Sequence, residues 1–313
     1  MRTQISQRMQ TGRALIRLGR FPFLGGGIIL HCLGIGMALY DGSSLNIRAV
    51  VWGQLAISAT QLMTHYANDY FDLQADRANR TPTNWSGGSR VLVENRLPPT
   101  IALWIALGLA AIAFGSIVVL SVWVRPGFGT LALLLTAQGL AWFYSAPPIR
   151  LHSRGLGELT TAIIVTLLTP LTGYYLQSGV ITLLPLLAVL PLCCLQFAML
   201  LAIEVPDAEG DRLVHKRTLV VRLGSRRAAQ LYGVLLLLAY ALLPLLVGAT
   251  LPLAVAVAIV AIFPLAASLL WRVYRGHWQQ PAHWNALGFY TIALLIGTAT
   301  AELAAFMLLI GTM

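Results

Sequence analysis

The chain has 313 residues, 58% of them hydrophobic and only 10% charged, with a formal net charge of +10. A soluble domain carries roughly a quarter charged residues, so the composition excludes an ordinary water-soluble enzyme or binding module. Residues 1–20 form a basic arm with Arg2, Arg8, Arg13, Arg17 and Arg20, which predicts an amphipathic helix on anionic headgroups. Spanning a bilayer takes about 20 apolar residues as a helix. Runs of that kind follow near 21–40, 47–68, 100–124, 127–146, 156–176, 180–204, 226–248, 250–271 and 287–311. The first run lacks a small-residue cleavage site, so it reads as a retained span. The expected fold is all-α: nine transmembrane helices in one integral-membrane domain, 1–313.

The basic residues have a sided distribution. Of the 21 Lys and Arg, 19 fall in the arm and in the segments after spans two, four, six and eight; only Arg48 and Arg125 do not. The positive-inside rule then places that face and the N-terminus in the cytoplasm and the C-terminus outside. The charge is thus explained by the lipid bilayer, and no nucleic acid is expected. Cys32, Cys193 and Cys194 all lie within spans, where packing is their expected role. Glu302 lies inside the last span and is expected to make an interhelical hydrogen bond.

Three polar segments on the basic face are long: 69–99, 147–158 and 205–225. Nine of the 11 acidic residues lie in or beside them. The second span ends in NDYFDLQAD, so Asn68, Asp72 and Asp76 are spaced i, i+4, i+8 and share a face if the helix continues. Asp69 points off that face. Asp207 and Asp211 repeat the pair 135 positions later, at the end of the sixth span. Four spans apart means the same orientation, so the halves read as two parallel pseudo-repeats that bring both pairs to one cytoplasmic cavity, with 69–99 and 205–225 as active-site loops. Four facing carboxylates repel, so the site calls for cations. Oxygen donors without His or Cys suit Mg²⁺, which is commonly shared between one or two carboxylates and substrate phosphates. Two Mg²⁺ ions bridging a diphosphate are expected. Arg77, Arg80, Arg212, Lys216 and Arg217 can meet its oxygens; Lys216 is the only lysine in the chain. A diphosphate site at the mouth of an apolar bundle suits an isoprenoid diphosphate, head on the metals and tail among the helices.

With these motifs the chain resembles the UbiA-type membrane prenyltransferases, which carry Asn-Asp-x-x-Asp-x-x-x-Asp after the second helix and Asp-x-x-x-Asp after the sixth. Here these are Asn68, Asp69, Asp72 and Asp76, then Asp207 and Asp211. KRTLVVRLG at 216–224 and YSAPPIRLHSRGLGE at 144–158 are similar to the family as well. The resemblance covers nearly the whole chain and implies nine helices around a central cavity, with Mg²⁺ held by the two motifs. NDYFD and RTPTNWSGGSRVLVENRL resemble the branch that prenylates 1,4-dihydroxy-2-naphthoate for menaquinone. Ile203 stands where that pattern has Asn, and His215 where Gly is usual.

The roles follow. Asp72, Asp76, Asp207 and Asp211 bind metal and diphosphate. Asn68 hydrogen-bonds the diphosphate or a metal-bound water. Asp69 anchors its loop or serves the acceptor. Arg77, Lys216 and Arg217 neutralise the diphosphate, and Tyr144 faces it or steadies the cation. Arg90, beside Gly87 and Gly88, takes an acceptor carboxylate as a bidentate fork. His65 reads as a packed helix histidine. The competing readings are another acceptor (4-hydroxybenzoate, homogentisate, a chlorophyllide or a lipid) and, in a different class, a secondary transporter with parallel repeats.

Overall fold

The computed structural model describes residues 2–312, with side chains from residue 11 onward. Among the described residues it is helical throughout, with no strand. The arm is helix α1, Arg2–Gly19. Its buried face, Ala14 and Leu18, packs with Met63, Tyr66 and Ala67 while Arg13 and Arg17 stay exposed. Among the described side chains of the arm, Ala14 and Leu18 are thus covered by protein, while Ile16 stays exposed. The expected membrane contacts of Arg2 and Arg8 lie outside the described side chains.

After a single turn at Phe21–Phe23 come α2, Leu24–Tyr40, and α3, Ile47–Phe71. Asn46 starts α3 by accepting from the Arg48 and Ala49 amides at 3.1 and 3.2 Å, a side-chain cap for helix donors that lack a partner. A short α4, Leu73–Ala78, leads to the long loop, and α5, Pro99–Val119, begins with proline, whose missing N–H costs nothing there. Next come α6, Phe128–Ser145, and a broken rod made of α7, Gly157–Thr161, a wide turn over Ala162–Leu168, and α8, Thr169–Ser178. Pro170 lacks the N–H that would continue the regular ladder into that turn. Helices α9, Leu183–Ala188, and α10, Leu190–Glu204, precede α11, Ala208–Leu213, and α12, Leu219–Leu223. The chain ends in α13, Ser225–Ala241, α14, Leu243–Ala249, α15, Leu253–Ala261, α16, Phe263–Tyr274, and α17, Pro281–Gly311.

Six described helices are long and apolar enough to cross a membrane: Thr11–Tyr40, Pro99–Val124, Gly157–Ser178, Leu183–Leu213, Ser225–Ala249 and Pro281–Gly311. A seventh is counted if α15 and α16, bent by 44°, form one span. The polar residues of α3, Gln61, Thr64, His65 and Asn68, line a cavity instead of facing lipid, so α3 is too polar to be counted on length and composition. Helix α2 packs closely on α8: neither Gly34, against the Pro170 carbonyl, nor Gly173, against the His31 carbonyl, has room for a Cβ. The main core joins α2, α10, α13 and α17 around Leu33, Leu192, Leu236 and Phe306. Glu302 is fully buried on α17, and neither of its oxygens has a hydrogen-bond partner among the described residues. The expected interhelical bond is not formed among the described residues; its neighbours on the same helix, Ala299, Ala305 and Phe306, belong to the apolar core and offer no donor.

Candidate active site

Both aspartate motifs sit where a long helix breaks. The first helix does not continue through its motif as expected: α3 stops at Phe71, and Asp72 has φ −95° and ψ 3° before α4 begins. The four-residue spacing survives the break, because Asp72 N donates to Asn68 O at 2.8 Å and Asp76 N to Asp72 O at 2.9 Å. In the second motif Pro206 follows the end of α10, and a tight turn over Val205–Asp207 leads into α11. Helices α4 and α11 then pack on each other. Gly210 lies against the backbone of Ala78 and Asn79, leaving no room for a Cβ. Asn79 Nδ2 donates to Asp207 Oδ1 at 2.6 Å across that contact.

Lys216 joins the two motifs. Its ammonium lies 2.9 Å from Asp72 Oδ2 and 3.4 Å from Asp211 Oδ1. Asp72 also accepts from Asn68 Nδ2 at 2.8 Å. His152 Nε2 lies 2.8 and 3.0 Å from its two oxygens, while His152 Nδ1 lies 2.5 Å from the Tyr144 carbonyl. Both imidazole nitrogens thus face oxygen acceptors, and the ring stacks on that of Tyr144 with centroids 5.0 Å apart. Burial pushes the Asp72 carboxyl up, but His152 and Lys216 outweigh it and hold the group well below the ordinary range. Burial pushes Lys216 down, and Asp72 and Asp211 raise it well above its usual value. Asp76 is pushed the other way, well above the usual carboxylate value, by burial and by the Asp69 and Asp72 charges.

The long loop folds back over the first motif. Asp69 is buried and accepts from the Ser89 amide at 3.1 Å, from the Ser89 hydroxyl, and from Arg20 at 2.5 Å. It anchors the loop. Arg90, expected to meet an acceptor carboxylate, turns its Nη1 to the Asp76 carbonyl and is not among the residues lining the cavity. The reason is the positive-φ run Gly87, Gly88 and, after Ser89, Arg90, at 74°, 71° and 65°, which wraps the loop around Asp76. Gly88 lies flat against the Asp76 carboxylate, with no room for a Cβ. Gly88→Ala is expected to lower the melting temperature in detergent well below that of Gly42→Ala. Gly42 has the same backbone sign, φ +86°, but open space around it. Equal losses would mean that backbone strain alone, about 1–2 kcal/mol, accounts for both.

A cavity of about 260 Å³ runs from this face into the bundle. Asn68 and Tyr144 line it next to Asp72, and Leu30, Leu134, Leu168 and Leu295 line its apolar walls. None of the four aspartates lines the cavity itself; Asp72 and Asp211 turn toward Lys216, while Asp207 meets Asn79 and Asp76 lies against Gly88. Arg77 and Arg217 are exposed and do not line the cavity. Ile203 lines the cavity as an apolar residue. His215 adopts φ +58°, the conformation for which glycine is suited. His65 lines the cavity as well and donates from Nδ1 to the Gly19 carbonyl at 2.8 Å.

Sequence reasoning missed Arg20, Asn79, Ser89, Ser145 and His152 as members of this site. Asn79 had a local signal: in Asn79-Arg80-Thr81 its Oδ1 accepts from the Thr81 amide at 2.8 Å, an Asx turn; Ser89, Ser145 and His152 lie in the stretches already quoted as similar to the family. Ser145 accepts from Asn68 Nδ2 at 3.0 Å, a contact that only packing reveals.

Among the described residues no three His, Cys, Asp or Glu side chains cluster so as to hold a metal alone. Magnesium does not require such a cage, since it keeps waters and takes one or two carboxylates plus phosphates. The donors fit that use: they are carboxylate oxygens, and Asp211 Oδ2 is buried with no partner.

Known proteins agree with this architecture. The chain is 24% identical over 238 residues to the 1,4-dihydroxy-2-naphthoate octaprenyltransferase of Bacillus subtilis (strain 168), covering 75% of this chain and 73% of that one. It is 27% identical to the digeranylgeranylglyceryl phosphate synthase of Thermococcus gammatolerans, covering 82% and 88%. A UbiA homolog from Archaeoglobus fulgidus, solved bound to DMAPP and Mg²⁺, superposes with a TM-score of 0.64 at 15% identity, covering 96% of this chain and 99% of that one. The model of the UbiA prenyltransferase family matches residues 29–295, and the chain belongs to that family of membrane prenyltransferases.

Proposed function

We propose that the protein transfers a polyprenyl group from an isoprenoid diphosphate to an aromatic acceptor, 1,4-dihydroxy-2-naphthoate. The observation that carries this reading is the meeting of the two motifs at Lys216, at the mouth of an apolar cavity. The prenyl tail occupies the cavity and the diphosphate faces the carboxylates. The naphthoate acceptor is favoured by the Bacillus relative and by the aromatic side chains Phe23 and Trp85 at the cavity wall. Around this site the proposal keeps one domain, 1–313, with nine spans in two parallel repeats, the N-terminus and active-site loops cytoplasmic and the C-terminus external.

Asp72, Asp76, Asp207 and Asp211 would hold two Mg²⁺ ions, which when bound neutralise the departing diphosphate. Lys216 adds a compact charge beside the same carboxylates, and Arg77 and Arg217 add charge outside the cavity. Asn68 and Tyr144 orient the head at the boundary between carboxylates and cavity. The bond from the allylic carbon to oxygen breaks with its electron pair going to the diphosphate. The apolar walls keep water from the allylic cation. The electron-rich ring carbon then bonds to the allylic carbon and loses CO₂ where it carries the carboxylate, or a proton where it does not. Arg90 braces the Asp76 segment through its carbonyl contact.

The test is transfer in detergent with Mg²⁺, a radiolabelled C20 diphosphate and a panel of aromatic acceptors. A prenylated naphthoate product formed with release of CO₂ is the expected result. Product from another acceptor alone overturns the naphthoate assignment. No diphosphate release with any acceptor or donor length overturns the transferase reading of this chain.

A further inference from the structure

Between Asp211 and Glu302 the chain has no acidic residue, yet it carries eight Lys and Arg. Lys216 finds its counter-charge in the aspartate motifs. Arg272 and Arg275, at the end of α16, find none: among the described residues neither pairs with a carboxylate. Each lies over an aromatic ring instead. Arg272 Cζ is 5.0 Å from the centre of the Tyr290 ring, and Arg275 Cζ is 5.6 Å from that of Trp271. A planar guanidinium stacked in this way keeps its N–H edge available to an anion. Trp271 in turn meets His277 edge-on at 6.0 Å, and His277 stacks on His283 with ring centres 4.0 Å apart and planes 15° apart. His277 Nδ1 is buried without a partner. Burial and the neighbouring His283, Arg272 and Arg275 push the His277 imidazole below its usual value. Positive groups are thus crowded on one turn with no negative group to offset them. The turn is fixed from within, since Trp284 Nε1 donates to the Trp278 carbonyl at 2.7 Å and His283 N to the Gln280 carbonyl at 2.9 Å.

The patch stands where a span ends. Helix α16 is half of the bent seventh candidate span. Phe263, Trp271 and Tyr274 on it are exposed, Tyr274 at 89%. Tryptophan and tyrosine gather where a span leaves the hydrocarbon for the headgroups, which sets Arg272 and Arg275 at headgroup depth. The patch also shares the face of the active-site loop. Asn285, one turn into α17, accepts from the Asn84 amide at 3.1 Å and from Trp85 Nε1 at 3.0 Å. A lipid phosphate suits the patch better than a water-borne partner, because its acyl chains follow the exposed rings down α16 while its charge meets the guanidinium edges.

We propose that the turn between α16 and α17 is a binding site for the headgroup of an anionic phospholipid, with Arg272 and Arg275 meeting the phosphate, His277 adding a donor beside them, and Trp271 and Tyr274 seated at the boundary with the acyl chains. The site is separate from the cavity and from the aspartate motifs, and its test needs no turnover, so it stands or falls independently of the transferase reading.

The experiment is thermal unfolding of the full chain in nonionic detergent, titrated in parallel with dioleoylphosphatidylglycerol, dioleoylphosphatidylcholine, inorganic phosphate and a hexaglutamate peptide. Phosphatidylglycerol alone is expected to raise the melting temperature, in a saturable way and by about 3–6 °C; the midpoint of that rise gives the apparent affinity. In Arg272→Gln/Arg275→Gln the affinity is expected to fall about 10- to 30-fold, the effect of two arginines at an anionic surface. Arg272→Lys/Arg275→Lys, which keeps both charges and so guards against a folding artefact, is expected to recover part of it. Arg13→Gln/Arg17→Gln removes the same charge from the exposed side of the arm and is expected to change the affinity less than about twofold. An equal fall in that control reduces the effect to diffuse surface attraction and overturns the site. Equal stabilisation by phosphatidylcholine makes it a general lipid effect. Equal stabilisation by phosphate or by hexaglutamate assigns the patch to a soluble anion or to an acidic protein. Each of these results overturns the lipid assignment.

Discussion

Asp72→Ala is expected to lower kcat/KM for prenyl transfer by roughly 10³-fold or more, the scale seen when a charge-stabilising group is removed from a preorganised site. Asp72 is the aspartate on which the cation Lys216 converges together with Asn68 and His152. Its removal takes away a candidate metal ligand and leaves Lys216 and His152 without their shared acceptor. Asp207→Ala removes a candidate ligand of the same kind but leaves the Lys216 ion pairs intact, since Asp207 is held by Asn79, Ser86 and the Gly87 backbone instead. The two variants therefore separate catalysis from stability. Both are expected to lose product, while Asp72→Ala alone melts markedly lower in detergent. Truncating one member of a buried charge pair costs about 3–5 kcal/mol. Retention of more than about a tenth of wild-type transfer by Asp72→Ala would remove Asp72 from the site. Equal melting losses in the two variants would count against the central place given to Lys216.

Lys216→Met carries the second large effect. With 15% of its side chain exposed, the ammonium is the fixed cation that lets Asp72 and Asp211 face each other before any divalent ion binds. Replacing it with an apolar chain of similar length leaves two buried like charges, at a cost of about 3–5 kcal/mol. The pH dependence follows from the signs. Lys216 is raised, so its contribution is complete below the ordinary lysine value near 10.4 and is lost only as pH rises through the raised value. Asp72 is lowered, so its contribution is present above the ordinary value near 3.9 and is lost as pH falls through the lowered one. Between about pH 5 and 9 both charges stand, and the loss in Lys216→Met is expected to be the same at pH 6 and pH 8. Added Mg²⁺ is expected to raise the melting temperature of Lys216→Met more than that of wild type, because the ion supplies the missing positive charge. A melting temperature that neither falls in the variant nor responds to Mg²⁺ would show that the two motifs do not share this cation.

Much of the site was legible because its chemistry is written at helical spacing. Four-residue intervals between Asn68, Asp72 and Asp76, and again between Asp207 and Asp211, mark one face of a helix end wherever the helices go. The break at Asp72 was not legible, yet it did little harm, since the hydrogen bonds across it keep the phase. Arg90 shows the opposite case. Its guanidinium was expected to take an acceptor carboxylate, and the positive-φ turn instead folds it back on the chain. Arg20 was read as part of a basic arm at the membrane surface. It became a half-buried group at the cavity wall because α1 packs its apolar face on α3.

The sequence by itself determined the class of protein, the family, and the four carboxylates that we propose as metal ligands. These depend on composition and on spacing along one helix, both local properties of the chain. The tertiary structure decided which cation joins the motifs, which ring supports Asp72 and which arginine reaches the cavity. Lys216 lies 144 positions from Asp72, His152 lies 80 from it, and Arg20 lies 49 from Asp69. Contacts over such separations are set by how helices pack and where they break, and no periodicity within a single segment encodes them.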